Sequence, residues 1–207
     1  MHEKVLPSGS RKILDRLEAL QDSSLDDWTL AGGTGLALHL GHRVSDDFDF
    51  FRMDEMDVRS LHTVLSQCGT YETFQEAEHT LTVLVQGVKL SFFRIPDPFL
   101  HSALPYRFFL VADQRDIALM KLVAISGRGS RKDFVDLYTI LRNGPDLSDL
   151  LAEIPKKYGE RANLYHILTS LTYFEDAERE PMPVMLEPFD WEECKEFLIR
   201  ATHAIVL

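Results

Sequence analysis

The five residues Asp47-Phe48-Asp49-Phe50-Phe51 constrain the fold more than any other stretch of the chain. Successive side chains of a β-strand point to opposite faces. This order therefore puts Asp47 and Asp49 on one face and turns Phe48 and Phe50 toward a core on the other. Aspartate is disfavoured in strands, so two of them among three phenylalanines need a physical reason. Neighbouring carboxylates repel, and they stay ionised near neutral pH most readily with a cation between them. The pattern predicts a divalent-metal site at Asp47 and Asp49, with a solvent-facing edge strand as the plain alternative.

The residues just upstream add a second element. Trp28 to Ala31 is a short apolar run, Gly32-Gly33 follows, and Thr34 to Leu40 reads as an apolar helix. A strand that turns into a helix through glycine lets phosphate approach the backbone near the positive end of the helix dipole. The structural alternative is a tight turn, with Thr34 as its helix cap. A phosphate cradle followed by paired carboxylates suits a nucleotide with Mg²⁺, or Mn²⁺ in its place.

Elsewhere the pattern is mixed. A helix with Ser10 as cap is expected over residues 10 to 21, and another after Asp57, closed by Gly69. Leu81 to Val85 and Val88 to Phe93 flank Gln86-Gly87 as a hairpin, and Phe108 to Val111 gives a last strand. Helices are expected from Asp113 to Ser126 with Asp113 and Asp116 as a capping pair, from Ser130 onward, over 147–158 and 160–176, and after Asp190. The sequence thus predicts an α+β class, with a small mixed-sheet core over 1–112 and an all-helical C-terminal region over 113–207 that completes the cleft. A formal net charge of −11 argues against broad non-specific nucleic-acid binding but leaves room for a local basic patch. Two distant cysteines, no membrane-length apolar run and no signal-peptide pattern at the start point to a cytoplasmic protein without membrane contact.

Gly32-Gly33-Thr34, then His42-Arg43, Ser45 and Asp47 to Phe51, resemble the nucleotidyltransferase signature of the AbiEii/AbiGii toxin-like family. The block from Lys121 through Gly127-Arg128-Gly129-Ser130 to Asp133 and Asp136 resembles that family's second region. The resemblance covers about residues 25 to 142. It implies transfer of a nucleotidyl group from a Mg-NTP to an acceptor hydroxyl, with RNA as an acceptor, and the toxin's role in a toxin–antitoxin or phage-defence pair with an antitoxin partner. It implies Asp47, Asp49, Lys121 and Asp133 as catalytic residues. Gly32, Gly33, Thr34, Arg43, Ser45, Arg128 and Lys132 would hold the nucleotide.

Each assignment has an ordinary counterpart. Lys121 shares its helix face with Ile117, Ala124 and Ile125, which fits a snorkelling lysine as well as a phosphate ligand. Asp133 fits a capping box begun by Ser130 as well as a general base toward the acceptor. Arg128, Arg131 and Lys132 fit a solvated helix start as well as a phosphate cluster. The wider superfamily carries a third carboxylate on a later strand, where this chain's alternation places Ser91 between Lys89 and Phe93. That departure puts turnover in question more than fold. It keeps open a catalytically degenerate nucleotide-binding or interaction protein, and a kinase-type phosphoryl transfer stands as a third reading.

Overall fold

The computed structural model describes residues 1–205, and its fold is the α+β architecture the sequence predicts. The chain divides into two compact units, one of Met1–Asp113 and one from Gln114 onward.

The first unit is built on a seven-stranded mixed sheet. Its strands are β1 Thr29–Ala31, β2 Phe48–Arg52, β3 Tyr71–Ala77, β4 Thr80–Val85, β5 Val88–Arg94, β6 Leu104–Tyr106 and β7 Phe109–Val111. They lie in the order β3-β4-β5-β2-β1-β7-β6. The β2–β5 and β1–β7 pairs are parallel and the others antiparallel. Gln86 and Gly87 both take positive φ, the geometry of a two-residue hairpin turn between β4 and β5. The edge strand β3 shifts register between Thr73 and Gln75, and Phe74 there is exposed. Strand β6 was not expected, because Pro105 cannot donate to a ladder and hides an edge strand from sequence alternation.

Three helices accompany the sheet: α1 Ser8–Leu20, α2 Gly32–Leu40 and α3 Val58–Ser66. Helix α1 buries Ile13, Leu14 and Leu17 at helical spacing. It starts two residues before the expected Ser10 cap, with Pro7 preceding it and no side-chain cap. Asp57 caps α3 as predicted, accepting from the Ser60 amide at 3.1 Å. Gly69 lies beyond the α3 C-cap, Gln67. Trp28, Phe48, Phe50 and Phe92 form the bulk of the buried layer.

The second unit is helical: α4 Gln114–Arg128, α5 Arg131–Asn143, α6 Leu147–Tyr158, α7 Leu164–Ser170, α8 Glu175–Glu178 and α9 Trp191–His203. The expected capping role of Asp116 is not what the structure shows. Asp116 is buried, and its Oδ1 accepts from Lys157 Nζ at 2.9 Å. The single helix expected over 160–176 is two pieces. Asn163 accepts from the His166 amide and starts α7 there, and α7 ends at its C-cap, Leu171. Asp190 caps α9 as predicted, accepting from the amides of Glu192 and Glu193.

Candidate active site

The aromatic layer fixes the strand that carries the acid pair. Phe48 and Phe50 are buried, with ring centroids 6.2 Å apart, and Phe50 stacks on Phe92 at 5.2 Å. Trp28 meets Phe92 edge-on at 4.9 Å. With that face committed to the core, Asp47, which immediately precedes β2, and Asp49 within it turn the other way, and both are partly exposed.

Asp49 lies beside Ala31 of β1 and Ser91 of β5. The strand-to-helix bend begins one residue past Ala31. Gly32 has φ +63°, and a Cβ built there would lie 2.9 Å from Asp49 Oδ2. A Cβ at Gly33 would lie 2.3 Å from Arg43 Nη2 and 3.4 Å from Ser45 Oγ. The two glycines thus have different steric reasons. Gly32 admits a carboxylate against the bend, and Gly33 admits a guanidinium. Gly32→Ala combines left-handed strain with displacement of Asp49. It is expected to cost about 1–2 kcal/mol and to weaken Mn²⁺ binding. Urea unfolding and Mn²⁺ titration check this, and no change in either would remove the steric argument.

Thr34, Arg43 and Ser45 are buried. The Thr34 hydroxyl donates to the Asp47 carbonyl and hydrogen-bonds Ser45 Oγ at 2.8 Å. Arg43 Nη1 donates to the Val44 carbonyl at 3.0 Å. These side chains brace the first turn of α2 against the segment that enters β2.

The expected position of the third carboxylate is occupied by Ser91, which pairs in register with Asp49. Ser91 is buried and hydrogen-bonded to Thr82 Oγ1 at 3.3 Å. Two residues earlier, Lys89 sends Nζ to within 3.7 Å of Asp47 Oδ2. The sequence put Lys89 on the polar face of its strand but did not assign it to the site. Its proximity to Asp47 depends on the parallel pairing of β2 with β5. Among the described residues no group of three or more His, Cys, Asp or Glu is placed to hold a metal. Two carboxylates do fit Mg²⁺, which is commonly held by one or two carboxylates together with substrate phosphates.

The second region forms a buried ion network in the helical unit. Lys121 Nζ of α4 lies 2.7 Å from Asp133 Oδ1 and 2.6 Å from Asp136 Oδ2 of α5. Arg128 Nε reaches Asp133 Oδ2 at 2.8 Å. Burial pushes the Asp133 carboxyl up, but the Lys121 and Arg128 charges outweigh it and hold the group below its usual range. Burial likewise opposes the Lys121 charge, and Asp136 and Asp133 overcome it and raise the lysine. Lys121 is therefore not a snorkelling lysine: its ammonium is buried against the Asp133 and Asp136 carboxylates. Asp133 does not cap α5 either. Ser130 Oγ and the Arg131 amide both donate to Glu180 Oε2 at 2.8 Å. Arg131 donates to the Ala177 carbonyl at 2.7 Å and lies over the Trp191 ring. Of the expected basic cluster, Lys132 is exposed, and the Arg128 side chain is 67% exposed while it holds Asp133.

A mixed sheet that presents paired acids beside a glycine strand-to-helix bend, accompanied by a helical unit, has the architecture of the nucleotidyltransferases. The profile of the nucleotidyl transferase AbiEii toxins, of a type IV toxin–antitoxin system, matches residues 12–204. The chain belongs to that family. It is 38% identical over 200 residues to an uncharacterised protein of Aquifex aeolicus, covering 94% of this chain and 95% of the relative. The fold is shared with JHP933 of Helicobacter pylori at a TM-score of 0.55 and 17% identity, covering 98% of this chain and 89% of that one. It is shared also with MenT4, a nucleotidyltransferase toxin of Mycobacterium tuberculosis, at a TM-score of 0.52 and 15% identity over 97% and 87% of the two chains.

Proposed function

We propose that the protein transfers a nucleotidyl group from an NTP to an acceptor hydroxyl and releases pyrophosphate. The observation that supports this most is the approach of the Asp49 carboxylate to the Gly32 bend, 2.9 Å from the Cβ position. It sets an acid that can hold a cation against a backbone that can hold phosphate. In the reaction the acceptor oxygen bonds to the α-phosphorus while the bond to the β-phosphate bridging oxygen breaks, and the acceptor proton leaves to solvent or base. Asp47 and Asp49 would hold Mg²⁺ or Mn²⁺. The metal, when bound, neutralises the triphosphate and the charge developing on the attacking and leaving oxygens. The amides of the α2 first turn orient the phosphates. Thr34, Ser45 and Arg43 keep that turn and Asp47 in fixed relation. In this reading Lys121 and Asp133 join α4 to α5, since Asp133 is already held by two cations and an acid kept below its usual range is a weak base.

The family supports a wider reading: a toxin paired with an antitoxin, with RNA as acceptor, acting in the cytoplasm. Cys68 and Cys194 are both buried free thiols, as a reducing compartment allows. Among the described residues no helix is long and apolar enough to cross a membrane. Incubation with α-labelled NTPs and an RNA pool tests the chemistry. Label joined to RNA with pyrophosphate released, and loss of both on EDTA treatment, is the expected result. Release of a nucleoside diphosphate would instead make the protein a kinase. The rival, a degenerate nucleotide-binding protein, is favoured by one observation, Ser91 at the third carboxylate's place. Tight NTP binding with no turnover over any acceptor would establish it.

A further inference from the structure

The face of the sheet that carries the acid pair continues past Asp49. Phe51 lies two residues further along β2, so it points the same way and stands about 7 Å on. It pairs in parallel register with Phe93 of β5, and the two rings stack at a centroid distance of 5.2 Å. Thr29 of β1 bounds this row on one side and Thr80 of β4 on the other. Phe48, Phe50 and Phe92 are buried on the core face, whereas Phe51 and Phe93 are only half-buried on the opposite one. A half-covered aromatic pair beside a polar centre offers π-surface on which a nucleobase can stack.

Direction decides which base that is. Strand β1 runs antiparallel to β2, with Ala31 beside Asp49 and Thr29 beside Phe51. The Gly32 bend therefore lies toward the Asp47 end of β2, and the phenylalanines lie toward the other end. In an in-line displacement the attacking and leaving oxygens take opposite sides of the phosphorus. With the leaving pyrophosphate at the bend, the acceptor approaches from the side of Phe51 and Phe93. On the nucleotidyl-transfer reading given above, we infer that the acceptor is the end of a single-stranded nucleic acid, RNA in that reading, and that Phe51 and Phe93 stack its terminal base. The sugar of that nucleotide then carries the reacting hydroxyl toward Asp49, and no bond forms at the rings. Stacking also suits a chain of net charge −11, because it attracts a nucleic acid without a basic footprint.

Fluorescence anisotropy on the full chain tests this, with Mg²⁺, the four α,β-methylene NTPs and fluorescein-labelled random-sequence RNA oligonucleotides, intact or abasic at the 3′ end. Loss of the terminal base is expected to weaken wild-type binding about tenfold, as for one base stacked on an aromatic side chain. Phe51→Leu/Phe93→Leu should bind the intact RNA about tenfold more weakly and no longer distinguish it from the abasic one. Phe51→Tyr/Phe93→Tyr should keep the distinction. Calorimetry should show the NTP analogues bound equally by the wild type and both variants, which a merely structural role of the pair would not allow. Equal affinity of the wild type for the two RNAs, no binding of either included, overturns the inference. So does a leucine variant that still discriminates, or one whose analogue binding falls as well. Wild-type protein that joins no label from α-labelled NTPs to an RNA pool would instead overturn the transfer reading on which the inference rests.

Discussion

Replacing Asp47 and Asp49 together by asparagine is expected to lower nucleotidyl transfer by about 10³-fold or more, or about 4 kcal/mol of transition-state stabilisation. The size follows from what is removed. Both carboxylates turn to the same face of the sheet, and no other His, Cys, Asp or Glu among the described residues joins them as a metal-holding group. Asparagine keeps the shape and hydrogen-bonding capacity but not the charge. Stability should change by no more than about 1 kcal/mol, because both positions are partly exposed. The exposed contact of Asp47 with Lys89 contributes little to stability. Steady-state label incorporation and thermal melting of the same preparation check both halves. A variant that loses activity only because it melts would not support the assignment.

Lys121→Met should destabilise the helical unit by about 3–5 kcal/mol, the range for removing one partner of a buried ion pair. Lys121 is nearly inaccessible and lies between two carboxylates that are themselves buried. Removing the ammonium leaves Asp133 to Arg128 and takes away the shared partner of Asp136. Adding Asp133→Asn and Asp136→Asn to Lys121→Met should recover part of the loss, since neutral groups are cheaper to bury than charges. Hydrogen exchange along α4 and α5 reads the change locally. The pH dependence has a definite sign. Asp133 is depressed, so its contribution is present above the ordinary carboxylate range and is lost as pH falls through its folded value. Lys121 is raised, so its contribution is present below the ordinary lysine range and is lost as pH rises through its folded value. The helical unit should therefore weaken at both extremes, and Lys121→Met should flatten the alkaline side. An unchanged alkaline limb would show that the pair is not what holds α4 to α5.

The acid pair was legible in the sequence because strand alternation is local. Five residues fix which side chains share a face, and Phe48 and Phe50 are large enough to leave no doubt about which face is inside. Ser91 was legible for the same reason, as the alternation of β5 fixed its face. What sequence could not carry was pairing between elements. Lys89 comes within 3.7 Å of Asp47 only because β5 lies beside β2 in parallel register. Asp133 illustrates the opposite failure. Ser130 and Asp133 have the spacing of a capping box, yet Ser130 bonds Glu180, fifty residues on, and Asp133 turns to α4. A capping motif and a tertiary ion pair use the same letters, and only the approach of Lys121 separates them. Thr34, Arg43 and Ser45 were identified as belonging together, but their mutual hydrogen bonds and burial depend on the approach of α2 to the segment before β2, which no local pattern carries.

The aromatic layer behind β2 has a consequence for how the acid pair is held. Phe50 is wedged between Phe92 and Phe109, so the strand cannot twist to let its two acids drift apart. The side on which the acids stand is thus settled by packing on the opposite side, and it was settled when the hydrophobic layer closed during folding.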